Sequence, residues 1–102
     1  MLRRSGPGRP FGYLYLSEIP HAKEFRPFPI KNPQPIEMTY PEYEAFRLAD
    51  LEELTQEQVA ARMKTSRGTV WRLLSSARKK VAQALTESRP LFIALKGEVE
   101  KV

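Results

Sequence analysis

The chain contains no cysteine and a single histidine, His21, among its 102 residues. Without cysteine it forms neither a disulfide nor a thiolate metal site, and one histidine is too few for a histidine-based site. Carboxylates occur in pairs, but no nucleophile, metal partner or phosphate loop accompanies them. We therefore expect no metal, no cofactor and no enzymatic activity.

Long apolar runs are also absent, so the sequence predicts neither a membrane span nor the apolar core of a signal peptide. A cytoplasmic protein without membrane contact is expected. With 41% apolar residues the chain can build one modest core and therefore one compact unit. Within it we expect three ranges: a basic arm and proline-rich segment at 1–35, a helical domain at 36–89, and a strand and tail at 90–102.

The net charge of +5 is unevenly distributed along the chain. Residues 1–31 carry six bases and two acids, residues 32–58 one base and seven acids, and residues 59–89 eight bases and one acid. Such segregation is typical of a protein with one surface for a polyanion.

The N-terminal range has little helical character. Residues 1–10 form a basic arm with Arg3, Arg4 and Arg9, which is either a solvated tail or a segment that enters a DNA minor groove. Residues 11–16 predict a short strand. Five prolines between 17 and 35 predict an extended segment, held down by Phe25, Phe28 and Ile30.

The next elements are a brief strand at 36–39 and a helix that runs to about Glu52. Thr39 and Glu42 match a capping box at the start of this helix. Its many carboxylates predict a solvated acidic face, which would keep this helix away from DNA.

A helix-turn-helix unit is predicted between Thr55 and Leu85. Thr55 and Gln58 form a second capping box, and the inner face of the first helix consists of Val59, Ala60 and Met63. Residues 64–66 form the turn, with Ser66 as the N-cap of the second helix. The inner face of that helix has the spacing of an amphipathic helix, with Val70, Leu73, Leu74, Ala77, Val81, Ala84 and Leu85.

The outer face of the second helix is polar and basic. Gly68, Arg72, Ser75 and Lys79 point away from the apolar stripe, and no glutamate lies between Arg67 and Thr86 to pair with the bases. We therefore predict that Arg67, Thr69 and Arg72 contact base edges in a major groove. Gly68 would allow close approach of the DNA, and Ser66 is placed for a phosphate.

Other side chains of this helix have two interpretations. Trp71 either packs against the protein or contacts DNA. Arg78, Lys79 and Lys80 bind phosphates or remain in solvent. The predicted DNA-binding set is Ser66, Arg67, Gly68, Thr69, Trp71, Arg72, Ser75 and Lys79.

Pro90 ends the helix, and the apolar run at 91–95 predicts a strand. The strand pairs with 11–16, with 36–39, or with another copy of the chain. The predicted fold is mainly α: a winged-helix-like or sigma-factor region 4-like three-helix core with short flanking β strands.

Four motifs, EYEAFRLAD, QEQVAARM, SRGT and ARKKVAQAL, resemble a family of small prokaryotic proteins known as domain of unknown function 134. The region also resembles region 4 of sigma factors. The resemblance implies a transcriptional regulator in which Ser66, Arg67, Thr69 and Arg72 contact DNA. It implies no metal- or redox-sensing role for the arm, because this chain lacks the cysteines of many relatives.

Three positions depart from the family pattern. Glu53 and Lys64 stand where glycine is usual, so each non-glycine residue must adopt or avoid a left-handed conformation. Thr65 replaces the usual apolar residue of the turn.

The expected function is sequence-specific binding of double-stranded DNA by a homodimer that regulates transcription. The alternative is a sigma-like module that docks on RNA polymerase or another regulator and does not read DNA alone.

Overall fold

The computed structural model describes Leu16 and residues 19–94, and in this part three helices pack together, with a short sheet beside the first and the third of them. The elements are β1 Glu24–Phe25, β2 Ile36–Thr39, α1 Tyr40–Phe46, a π-helical segment Arg47–Leu51, α2 Gln56–Met63, α3 Arg67–Glu87 and β3 Leu91–Ala94. The predicted mainly α fold with a helix-turn-helix pair and flanking strands is confirmed. The arm and residues 11–15 lie outside the described residues, and Leu16 is not in a strand.

The sheet has the order β1-β3-β2, with β3 in the middle. β3 runs parallel to β2, with Ile36 opposite Leu91 and Thr39 opposite Ala94, and antiparallel to β1. Of the strand pairings left open by the sequence, the structure has the one with residues 36–39. The sheet packs on α3. Its strands come from all three predicted ranges, with β1 in 1–35, β2 in 36–89 and β3 in 90–102.

The helical core fills the space between α1, α2 and α3. Its buried members are Ala45, Leu48, Val59, Ala60, Met63, Val70 and Leu73. The predicted inner face of α2 is thus confirmed, as is most of that of α3. Leu85 is the exception, because its side chain is 79% exposed.

The first helix changes its winding before it ends. Regular α-helix stops at Phe46, and the wider π-helical segment continues to Leu51, where the Glu52 N–H donates to the Arg47 carbonyl at 3.0 Å. The Arg47 guanidinium also pairs with the Glu52 carboxylate, five residues away. This spacing suits a π-helix, whose hydrogen bonds join residues five apart.

The proline-rich segment is extended as predicted, but its apolar side chains do not hold it. Phe25, Phe28 and Ile30 are 58%, 101% and 39% exposed, so that expectation was wrong. Hydrogen bonds to the end of α3 hold the segment instead. The Lys31 N–H donates to the Ser88 carbonyl at 3.0 Å, and Arg89 Nε donates to the Gln34 carbonyl at 2.8 Å.

Candidate nucleic-acid interface

The start of α3 is fixed by side-chain hydrogen bonds of its N-cap. Ser66 Oγ accepts from the Thr69 N–H at 3.1 Å, and its hydroxyl donates to Thr69 Oγ1 at 3.0 Å. Arg72 Nη2 lies 3.5 Å from the same Thr69 oxygen. Because Thr69 is buried, its side chain does not point outward as the sequence suggested. It links the cap to Arg72 and so restricts where this guanidinium lies.

The other predicted residues of α3 are exposed. Arg67, Trp71, Arg72, Ser75 and Lys79 all present their side chains to solvent. Trp71 is 58% exposed, so packing inside its own chain does not account for it. Arg67 has one described ionic partner, the exposed Glu57, at 3.4 Å.

Gly68 lies on this exposed face with open space around it. A Cβ atom placed there would meet only Ser66 Oγ, at 3.9 Å, which is ordinary contact. Folding therefore does not require a glycine at this position. Its lack of a side chain leaves the backbone of the first turn accessible to a ligand.

The turn between α2 and α3 depends on one left-handed residue. Lys64 ends α2 with φ 56° and ψ 48°, and the Thr65 N–H then donates to the Ala60 carbonyl at 3.0 Å. Glu53 adopts φ 60° in the same way before α2. Both positions where the family usually has glycine are thus left-handed, at a steric cost of about 1 kcal/mol each.

Two further bases beside α3 were not among the predicted site residues. Arg62 in the last turn of α2 and Lys64 in the turn are both exposed. Arg62 could have been found from the sequence, because at about 100° per residue it lies about 60° around α2 from Val59 and about 100° from Met63, at the edge of the buried face. With Arg67, Arg72 and Lys79 they form what we call the basic face.

The back half of α3 uses its bases differently. Arg78 Nη2 lies 2.6 Å from Asp50 Oδ1, and Lys80 Nζ lies 2.7 Å from Glu42 Oε1. Lys80 is therefore partly buried and not in solvent, whereas the Arg78 side chain stays 53% exposed; phosphate binding by either base stays a prediction. Of the three consecutive bases, Lys79 is exposed and has no ion pair among the described residues.

Two carboxylates of the predicted acidic face are not solvated as expected, whereas Asp50, Glu52 and Glu53 are exposed. Glu42 and Glu44 are only 4% and 1% exposed. Ser76 donates to Glu42 Oε2 at 2.5 Å, and Arg47 Nη2 lies 3.2 Å from Glu44 Oε1. These carboxylates bind α3 and the π-helical segment, whereas the bases of the basic face are exposed.

The pKa values of the paired groups follow from these contacts. Burial alone would raise the pKa of Glu42, but hydrogen bonds from Lys80, Ser76 and the Thr39 N–H outweigh it and lower the pKa. The hydrogen bonds from Arg78 lower the pKa of Asp50, and those to Asp50 raise the pKa of Arg78. All of these groups are charged at neutral pH, so the two ion pairs are intact there.

Other kinds of site find no support in the described part of the chain. No group of three or more histidine, aspartate and glutamate side chains is arranged there to hold a metal ion. None of the helices described for residues 19–94 is both long and apolar enough to cross a membrane.

The architecture is that of a small helix-turn-helix protein with a basic face on its second helix. Residues 1–102 match the family model described as protein of unknown function DUF134, so the chain belongs to this family. This confirms the resemblance found in the sequence motifs.

Curated relatives agree with this assignment. UPF0251 protein PF0620 of Pyrococcus furiosus is 52% identical over 97 residues, covering 92% of this chain and 90% of the relative. UPF0251 protein TK0562 of Thermococcus kodakarensis is 58% identical over 78 residues, covering 74% and 69%. A UPF0251 protein of Archaeoglobus fulgidus is 39% identical over 95 residues, covering 93% and 90%. No solved structure matches the chain.

Proposed function

We propose that this protein binds double-stranded DNA sequence-specifically, with α3 in the major groove, and regulates transcription as a cytoplasmic homodimer. The observation that carries the proposal is the separation of charge within the fold. Asp50 and Glu42 pair with Arg78 and Lys80 in the back half of α3, whereas the five bases of the basic face are exposed. A surface of this kind attracts the phosphate backbone of nucleic acid.

Within this proposal the residues of α3 have different roles. Arg67 and Arg72 reach base edges, where a guanidinium can donate two hydrogen bonds to guanine. Ser66 and Thr69 hold the first turn, with Ser66 also beside the amides that bind a phosphate. Ser75 and Lys79 contact phosphates, and the exposed Trp71 packs on the sugar-phosphate backbone. Arg3, Arg4 and Arg9 remain predicted contacts to the minor groove.

The salt dependence of binding tests the electrostatic part of the proposal. If the five bases of the basic face each neutralise about one phosphate, log K should fall against log salt with a slope of about −4 to −5. The affinity is measured by fluorescence anisotropy on a labelled duplex. Binding that does not change with salt would reject the proposal.

Sequence preference is tested by selection from a random duplex pool. Arg67→Ala should broaden the selected sequences, whereas Lys79→Ala should weaken all sequences equally. A pool that shows no enrichment with the unchanged protein would reject sequence-specific binding.

The alternative function, docking on RNA polymerase or another regulator through the acidic first helix, has less support. Two of the carboxylates that would form the docking surface, Glu42 and Glu44, are buried and already paired. Asp50, Glu52 and Glu53 are exposed. Capture of a stoichiometric protein partner, together with no retention on duplex DNA, would favour this alternative.

A further inference from the structure

We propose that the C-terminal half of α3 forms the interface with a second copy of this chain, with Leu85 at the two-fold axis. A groove of about 390 Å³ runs between this half of α3 and the segment around β1. Val81, Ala84, Leu85, Leu91 and Phe25 provide its apolar lining. The argument on spacing given below rests on the proposed DNA binding, whereas the interface itself does not.

The Leu85 side chain projects from this surface, and the groove beside it would receive the Leu85 side chain of a second copy. Its side chain is 79% exposed, and Phe25 across the groove is 58% exposed. A surface that carries a projection beside a matching depression is complementary to itself, which is what a two-fold symmetric interface needs. Each Leu85 would then enter the groove of the partner, and both leucines would lose contact with water.

The charges at the rim of the groove favour a neutral protein surface over other occupants. Arg26 Nε lies 2.5 Å from Glu24 Oε2, and Arg89 Nη1 lies 2.8 Å from Glu87 Oε1. Because both guanidiniums are neutralised, the rim does not select nucleic acid or an acidic peptide. It also lacks the converging polar groups that orient a small ligand. A second copy brings the same apolar lining and the same balanced rim.

The position of the groove is compatible with DNA binding by both subunits. At about 100° per residue, Leu85 lies about 120° around α3 from Lys79 and about 140° from Arg72. Arg67 shares the angular position of Leu85 but lies about 27 Å away along the helix, so the interface does not cover the basic face. Thirteen residues separate Arg72 from Leu85, which corresponds to about 20 Å along the helix. If the α3 helices of two copies meet at Leu85, the two Arg72 residues lie up to about 40 Å apart. This separation becomes shorter when the two helices cross at an angle. The range includes the spacing of about 34–36 Å between successive major-groove half-sites.

The interface is tested without DNA by measuring the mass of the full chain in solution. Light scattering coupled to size-exclusion chromatography should give twice the chain mass of 11.8 kDa for the unchanged protein. Leu85→Glu should weaken the dimer at least tenfold and yield the chain mass. Leu51→Glu is the matched control, since Leu51 is also an exposed leucine, at 74%, but lies on the π-helical segment. It should leave the dimer unchanged.

Cross-linking at an introduced cysteine tests the position of the two-fold axis. The chain has no cysteine of its own, so only the introduced thiol can react. Leu85→Cys should be joined into a dimer by a short bismaleimide, and Leu51→Cys should not. If the unchanged protein is a monomer, the proposal is overturned. This holds whether the thiol of the Leu85→Cys variant reacts freely with a maleimide or is shielded by the chain's own terminal residues. A dimer unaffected by Leu85→Glu would also overturn it. A dimer that fails to bind DNA would overturn the proposed function and leave the interface in place.

Discussion

The two halves of α3 carry similar bases in opposite surroundings. In the front half Arg67 and Arg72 are exposed beside a first turn that Gly68 leaves accessible. In the back half Arg78 and Lys80 bind the carboxylates of Asp50 and Glu42. The number of bases on a helix therefore overstates the charge available to a ligand, because part of it joins the helix to its neighbour.

The strongest test of this contrast is the removal of the Glu42 side chain. Glu42→Ala eliminates the capping interaction with Thr39 and leaves the partly buried Lys80 without its partner. We expect a loss of about 2–4 kcal/mol in the free energy of unfolding. Urea denaturation followed by circular dichroism measures it.

Two further variants separate the contributions at Glu42. Glu42→Gln keeps an acceptor for the capping box and removes the charge, so it should cost less, about 1–2 kcal/mol. Glu57→Gln is the control, because it removes an exposed carboxylate whose pair with Arg67 should be worth less than about 0.5 kcal/mol. Equal losses for Glu42→Gln and Glu57→Gln would show that the buried pair does not stabilise the fold.

The second test compares an arginine from each half of α3. Arg72→Ala should weaken binding to the preferred duplex by about 10–100-fold, since each bidentate base contact is worth about 1–3 kcal/mol. Arg78→Ala should change the affinity by less than about threefold, because its guanidinium already binds Asp50. Anisotropy titrations at one salt concentration give both values. Equal losses for the two variants would abolish the proposed distinction between the halves.

A third test uses low pH to protonate Glu42 and Asp50, the carboxylates that pair with the back half of α3. The folded-state pKa values of Glu42 and Asp50 lie below their ordinary values of 4.5 and 3.8. The ionised forms of both carboxylates therefore stabilise the fold, and this stabilisation is complete at pH values above the ordinary pKa values. It is lost as the pH falls through the lowered pKa values. Thermal unfolding should show constant stability near neutral pH and a decline below about pH 4.5. Glu42→Gln should make the decline shallower, and an unchanged decline in that variant would contradict the assignment.

The sequence predicts the local features of both halves well. The capping boxes at Thr39 and Thr55 and the N-cap at Ser66 determine where three helices start, because these hydrogen bonds join residues three apart. The motifs also identify Lys64 as an unusual residue, although only the structure shows that it adopts the left-handed conformation. The exposed front half of α3 follows directly from its helical periodicity.

The features that the sequence leaves open join distant residues. Lys80 contacts Glu42 across 38 positions, and periodicity within α3 cannot show which of three consecutive bases faces α1. Leu85 fits the apolar stripe, yet its side chain is 79% exposed although the adjacent Ala84 is buried. The proline-rich segment is held by the Ser88 carbonyl and the Arg89 side chain just after α3, contacts across more than 50 positions that no local pattern reveals.

The smallest and most selective test concerns Gly68. Since a Cβ atom there has room, Gly68→Ala should stabilise the free protein by about 0.5–1 kcal/mol through helix propensity alone. The same methyl group should weaken DNA binding if the backbone of this turn approaches the duplex. Ala82→Gly is the control on the exposed side of the back half, where it should lose a similar free energy of unfolding and leave the DNA affinity unchanged. If Gly68→Ala stabilised the fold and left DNA binding unaffected, the first turn of α3 would not approach the duplex closely, and the proposed reading of bases by Arg67 would have to be abandoned.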